Sequence, residues 1–409
     1  MKPFALAATA LVFAASAAGA EPYDKVSDVK PADVLPPELL KGAHHQVLSP
    51  AHLDGVIYDY DVKTPQGALK VDGTERLYVR VHETAALQKM EELKNSDAFT
   101  KALAAAAKSP VNFAKDLVTD PIDTVGNVAS GVGSLFNNVG HALFGDPSEE
   151  EDNALKAAIG FDAIKRKTAF KFGVDAYSAN PLLQDRLKDI SWASFAGGLP
   201  VKVVFHAVPG KAGTALSVTS FSHGMSKLVA DKSPAELKEL NQGKLEKMGV
   251  SEDVIELFLD HPKFSPTKKT RITGALEKLA PAADRSAFIS VATLTQDEPV
   301  AFFLLRQAEL MAGYHLKVQK VTRLVRLGKL VFLRRADGGL VGLFPADYMP
   351  WRQRAETAFT LIERGVAGLG KIPAKEIWVT GDVSPLFRKN AEAKGWKIET
   401  GVRDRLRLD

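Results

Sequence analysis

A chain of 409 residues with 45% hydrophobic side chains is long enough to bury a sizeable core, and 53 Lys and Arg against 49 Asp and Glu leave a formal charge of only +4. No cysteine occurs at any position, so disulfides, thiolate metal sites and cysteine nucleophiles are excluded and packing has to hold the fold. The charge is uneven: residues 317–409 carry 19 basic against 10 acidic side chains, whereas residues 21–315 carry 33 against 39.

The chain opens with Lys2, an uncharged apolar run over residues 4–15, and the small-residue exit Ala18-Gly19-Ala20. That order predicts a secretory signal peptide (residues 1–20) cleaved after Ala20 and a mature protein in the periplasm. The apolar run is too short to span a bilayer, and no later stretch offers roughly 18 consecutive apolar residues. Glu21 stands where a lipid-anchored protein would carry cysteine.

Residues 21–44 hold Pro31, Pro36 and Pro37 and read as an extended entry segment. Val56, Tyr58, Tyr60 and Val62 alternate with polar neighbours, Thr64-Pro65-Gln66-Gly67 forms a turn, and Leu77, Val79 and Val81 alternate after Asp72-Gly73. This predicts a small antiparallel sheet. From Glu83 the period becomes helical through Leu87, Met90 and Leu93, with a further start capped by Ser96. The first region is thus residues 21–108.

Residues 109–152 differ in kind. Three seven-residue units over residues 122–142 place Val125-Gly126, Val132-Gly133 and Val139-Gly140 at equivalent positions, with Phe136 on the same stripe. Each glycine lowers intrinsic helix stability by about 1 kcal/mol, so the helix requires a covering surface. Burial against this chain's own helices is the plainer expectation. A partner envelope protein or a membrane surface contacting Val125, Gly126, Val132, Gly133, Phe136, Val139 and Gly140 is the functional alternative. The acidic run at residues 149–152 closes the segment as a linker.

Residues 153–316 read as a mainly helical domain. Asn180-Pro181, Ser233-Pro234 with Glu236, Ser251, Ser265-Pro266, and Thr295 with Glu298 mark helix starts, and strand signal is confined to residues 200–217. In residues 317–409 a basic α/β region is expected. Apolar runs at 330–333 and 340–344 flank Asp337-Gly338 as a β-hairpin. A helix bearing Phe359, Ile362 and Val366 follows, and residues 376–380, a helix begun by Ser384-Pro385, and residues 396–400 form a closing βα unit. The fold class is α+β: a small N-terminal antiparallel sheet, a mostly helical middle domain, and a C-terminal β-hairpin plus βα unit.

Two stretches, Gly173-Val174-Asp175-Ala176-Tyr177-Ser178-Ala179-Asn180-Pro181-Leu182-Leu183-Gln184 and Trp378-Val379-Thr380-Gly381-Asp382-Val383-Ser384-Pro385, resemble a group of exported proteobacterial proteins without assigned activity. The resemblance implies export and no chemistry.

Four clusters are candidates for function. His44, His45 and His52 lack the spacing of a metal site, so neither a metal nor a cofactor is expected. Ser220, Ser222, His223 and Gly224 approach a nucleophile elbow but lack its leading glycine, and helix-starting serines explain them more simply. Gly381 and Ser384 lie between a strand and a helix start, where free amides suit an anion, and capping by Ser384 is the simpler role. Lys317, Lys320, Arg323, Arg326, Lys329, Arg334 and Arg335 mark a solvated sheet face, and with export expected no nucleic acid is predicted as a partner. The sequence therefore favours a periplasmic, noncatalytic binding or envelope-associated protein. The alternative is an exported hydrolase whose site gathers Ser222, His223 and Asp382 from distant segments, and the oligomeric state stays open.

Overall fold

The computed structural model describes residues 23–25, 28–108, 149–199 and 223–408. The expected signal peptide, the Val-Gly heptads, the strand signal at residues 200–217, and Ser220 and Ser222 lie outside them. The fold is α+β, as expected.

The entry segment is not extended throughout. It contains two single helical turns, α1 (Pro31–Val34) and α2 (Pro37–Leu40), each with proline at its start, where a missing N–H costs nothing. Strands β1 (Gln46–Val47), β2 (His52–Asp54) and β4 (Gly67–Asp72) all pair antiparallel with β3 (Ile57–Thr64). In β3 the side chains of Tyr58, Tyr60 and Val62 are buried while Asp59, Asp61 and Lys63 are exposed, which is the period of two read from the sequence.

The expected strand through Leu77, Val79 and Val81 is instead the beginning of a long helix, α3 (Thr74–Lys94). Leu77, Tyr78, Val81, Leu87 and Met90 are among its buried residues and Val79 is only half-buried, so a helical period outweighs a five-residue alternation too short to specify a strand. Gly73, at φ 87°, turns the chain from β4 into α3. Helix α4 (Asp97–Lys108) starts where Ser96 Oγ accepts from the Phe99 N–H at 3.2 Å. The acidic residues 149–152, expected as a linker, belong to the start of α5 (Glu149–Lys171). Helices α3, α4 and α5 all pack on α6 (Pro181–Gly197).

Among the described residues six further helices precede the second sheet: α7 (His223–Asp231), α8 (Pro234–Lys247), α9 (Glu252–Leu259), α10 (Pro266–Lys278), α11 (Ser286–Ala292) and α12 (Glu298–Lys317). The capping box of Ser233 and Glu236 is formed, and Ser265 Oγ accepts from the Lys268 N–H. The box expected from Thr295 and Glu298 is not. Helix α12 (Glu298–Lys317) is capped by Asp297, whose carboxylate accepts from the Val300 N–H at 2.9 Å. Pro299 sits in the first turn and fixes the cap immediately before Glu298, leaving Thr295 outside.

The C-terminal sheet begins with the meander β5 (Val321–Leu327), β6 (Leu330–Arg335) and β7 (Leu340–Phe344), with β6 and β7 joined at Asp337-Gly338 as predicted. After β8 (Tyr348–Met349), helix α13 (Gln353–Ala367) leads to β9 (Lys375–Val379). After β10 (Asp382–Val383), helix α14 (Pro385–Ala393) leads to β11 (Trp396–Glu399). The strand order is β11-β9-β7-β6-β5, with β7, β9 and β11 parallel. Strand β7 is buried along its whole length, because α13 and α14 cover one face and α12 the other.

One apolar cluster runs from Leu245 through α9 to α12 and on to Leu333, Val341, Leu343, Trp378 and Leu406, so a single core crosses from the helical region into the sheet. Gly313 of α12 lets the tail lie against it: a Cβ there would stand 1.8 Å from Leu406 O. The basic cluster is only partly a solvated face. Arg323 is exposed and pairs with Asp284 at 2.9 Å, whereas Arg335 is buried, clasped by Asp337 at 2.9 Å and by Glu376. The hairpin turn carries its own counter-charge beside β6, and that lets the guanidinium go inside.

Candidate functional site

Strands β7, β9 and β11 run the same way, so their carboxyl ends release three loops on one edge of the sheet. Those loops supply Asp347 and Tyr348, then Thr380, Gly381 and Asp382, then Thr400, Gly401 and Arg403. Together with Tyr58, Leu53 and Thr74 of the N-terminal unit and Asp24, Lys25 and Asp33 of the entry segment, they enclose a cleft of about 600 Å³. The crevice beyond the carboxyl ends of parallel strands is where open α/β sheets bind ligands.

Asp347 is the joint between the two units. Its buried carboxylate accepts from the N–H groups of Tyr58 at 2.9 Å and Thr74 at 3.0 Å, and its own N–H donates to Val56 O at 2.9 Å. Burial pushes its carboxyl above the ordinary carboxylate range, against the lowering effect of those two backbone donors. Gly381 is required beside it, since a Cβ would lie 1.9 Å from Asp347 O. Thr380 Oγ1 donates to Ala346 O at 2.9 Å, and the Gly401 N–H donates to Gly381 O at 2.8 Å, so the loops are tied to one another.

A chain of buried charges supports the far wall. Arg403 Nε donates to Glu75 Oε1 at 2.6 Å, and Arg306 Nε donates to Glu75 Oε2 at 3.0 Å. Arg306 also pairs with Glu309, which meets Arg271 at 2.5 Å. Burial alone would raise the Glu75 carboxyl, but Arg403 and Arg306 override it and hold it at about 2. Arg403 stacks over the Tyr78 ring at 5.1 Å and its guanidinium is held firmly protonated.

No family model, curated protein or solved structure matches this chain.

Of the second resembling stretch, residues 378–385, Thr380, Gly381 and Asp382 line the cleft. Ser384 caps α14, accepting from the Phe387 N–H at 2.9 Å, and its hydroxyl donates to Asp24 Oδ2. The Trp351 N–H reaches the same oxygen at 2.5 Å. At the helix start where Gly381 and Ser384 suggested an anion, the chain thus places a carboxylate of its own. The first stretch, residues 173–184, is a structural clasp. Buried Glu83 accepts from Asn180 Nδ2 at 2.9 Å, Arg80 Nη1 at 2.6 Å and the Ser178 hydroxyl, while Asp175 accepts from Thr267 Oγ1 at 2.7 Å.

The histidines do not converge. His45 Nε2 lies 3.0 Å from Leu39 O and His52 Nδ1 lies 2.7 Å from Asp28. Among the described residues no three His, Asp or Glu side chains are grouped to hold a metal ion. Of the suggested hydrolase set only Asp382 lies in the cleft. His223 begins α7, which packs on α5 and α10, and Ser222 is outside the described residues. Val125, Gly126, Val132, Gly133, Phe136, Val139 and Gly140 are likewise outside. Among the described residues no helix is long and apolar enough to cross a membrane.

Sequence reasoning missed Asp347, Tyr348, Thr400 and Arg403. A signal was present: Thr-Gly follows each of two successive parallel strands, as Thr380-Gly381 and Thr400-Gly401.

Proposed function

We propose that this chain is an exported, noncatalytic binding protein whose ligand occupies the cleft at the carboxyl ends of β7, β9 and β11. The cleft itself carries the proposal: a space of about 600 Å³ falls in the range of small-ligand sites, with polar groups drawn from three strand ends and an N-terminal sheet as its lid. Its most buried charged groups serve the fold. Asp347 is spent on two backbone N–H groups and Arg403 on Glu75, which suits a rigid receptor better than a centre that must exchange protons. Export rests on the residues 1–20 pattern, and the Val-Gly heptads are the proposed second contact, with an envelope protein or a membrane surface.

A thermal-shift panel of polar small molecules tests the cleft, with Thr400→Trp in parallel to fill the space from a half-buried position. A ligand should raise Tm in the parent and leave the variant unmoved. Ligand-induced shifts that persist in Thr400→Trp would exclude the cleft.

A further inference from the structure

The lining of the cleft fixes the charge its ligand should carry. Four acidic residues line it, Asp24, Asp33, Asp347 and Asp382, of which Asp347 is taken up by backbone N–H groups, against the two cations Lys25 and Arg403. Arg403 is paired with Glu75, which it shares with Arg306. Among the described residues Asp24 uses only Oδ2, and Asp382 uses only Oδ1, on the Val383 N–H at 2.8 Å. Asp24 Oδ1, Asp382 Oδ2 and both oxygens of Asp33 make no hydrogen bond among the described residues.

Tyr58 provides a second, independent observation. It is 4% exposed, lines the cleft, and its hydroxyl makes no hydrogen bond among the described residues. The hydroxyl keeps solvent access, and a ligand in the cleft would take the place of water as its partner. Its ring stacks on that of Tyr348, with centroids 6.5 Å apart and planes 24° from parallel. Burial pushes the Tyr58 phenol up to about 12, with Tyr348, Asp347 and Asp382 adding to the effect. Burial also raises Tyr348, with Asp24 and Asp382 adding. Both rings are neutral at ordinary pH and sit in a negative field.

Carboxylate oxygens beside aromatic rings recognise ammonium groups: N–H donors meet the oxygens and the positive charge meets the ring faces. An anion would enter against the field. A bare metal ion would need carboxylates grouped more tightly than any among the described residues. We propose that the cleft binds a small organic amine, its ammonium group held by the free oxygens of Asp382 and Asp24 and by the rings of Tyr58 and Tyr348. This deepens the binding proposal above and rests on it.

Calorimetric titration of the mature protein tests the inference, with putrescine and tetramethylammonium as cationic probes, 1,4-butanediol and sorbitol as neutral ones, and succinate as an anion. At least one cationic probe should bind saturably and the neutral and anionic probes should not. Asp382→Asn, at an exposed position that leaves Tm unchanged, should weaken the cation about tenfold, and Tyr348→Phe should weaken it less because the ring remains. Cation binding indifferent to Asp382→Asn overturns the inference. Binding of sorbitol or succinate that Thr400→Trp abolishes also overturns it while leaving the cleft as the binding site. If no probe of any charge binds, the inference is lost, and an empty thermal-shift panel would then remove the cleft as well.

Discussion

Glu75 is where single side chains matter most to this fold. It is 7% exposed and lies between Arg403 and Arg306, whose positions are 328 and 231 residues away along the chain. Its folded pKa of about 2 lies below the ordinary 4.5, so the stability it contributes is complete above pH 4.5 and is lost as pH falls toward 2. The shift corresponds to roughly 3 kcal/mol. Asp347 has the opposite sign: its pKa is raised by burial, so ionising it costs stability as pH rises past the ordinary 3.8. Glu75→Gln leaves buried Arg403 without its carboxylate and Arg306 with Glu309 alone, and should cost about 3–5 kcal/mol at pH 7 in urea denaturation. The gap from the parent should narrow between pH 4.5 and 2. A cost under about 1 kcal/mol, or one independent of pH over that window, would contradict the assignment. None of this was legible in the sequence, where Glu75 has Arg76 as its neighbour and nothing marks its distant partners.

At the scale of elements the sequence was more informative, because starts and stops are set by neighbours. Asn180, Ser233, Ser265 and Ser384 each accept from the N–H three residues on. The failures are local conflicts. At residues 74–81 a brief alternation sat inside a helical pattern, and before α12 two acceptors competed until Pro299 decided between them. Ser384 performs two tasks, capping α14 and donating to Asp24. Ser384→Ala should therefore cost about 1–2 kcal/mol, toward the upper end for a lost cap, and should release residues 23–25. Hydrogen exchange at Asp24, whose N–H donates to Trp351 O at 2.8 Å, is the diagnostic measurement. Unchanged protection there would show that the entry segment is held by other contacts.

For the molecule as a whole, the N-terminal sheet is not an appendage. It is bonded to the C-terminal loops through Asp347, as is the start of α3 through Glu75, and it forms the wall that turns strand ends into a cleft. Export is the remaining whole-chain prediction: N-terminal sequencing of protein recovered from the periplasm should begin at Glu21. Recovery from the cytoplasm with Met1 in place would remove both the compartment and the envelope contact.

Composition, period and caps determined by themselves that this chain is an α+β protein held without disulfides, with its hairpin at Asp337-Gly338 and helix starts at four caps. Such features depend on residues within a turn or two of one another. Only the tertiary structure decided that Asp24, Tyr58, Asp347, Asp382 and Arg403 share one cleft. That convergence depends on which strands lie parallel and on how a sheet from one end of the chain docks against loops from the other, and no local pattern encodes either.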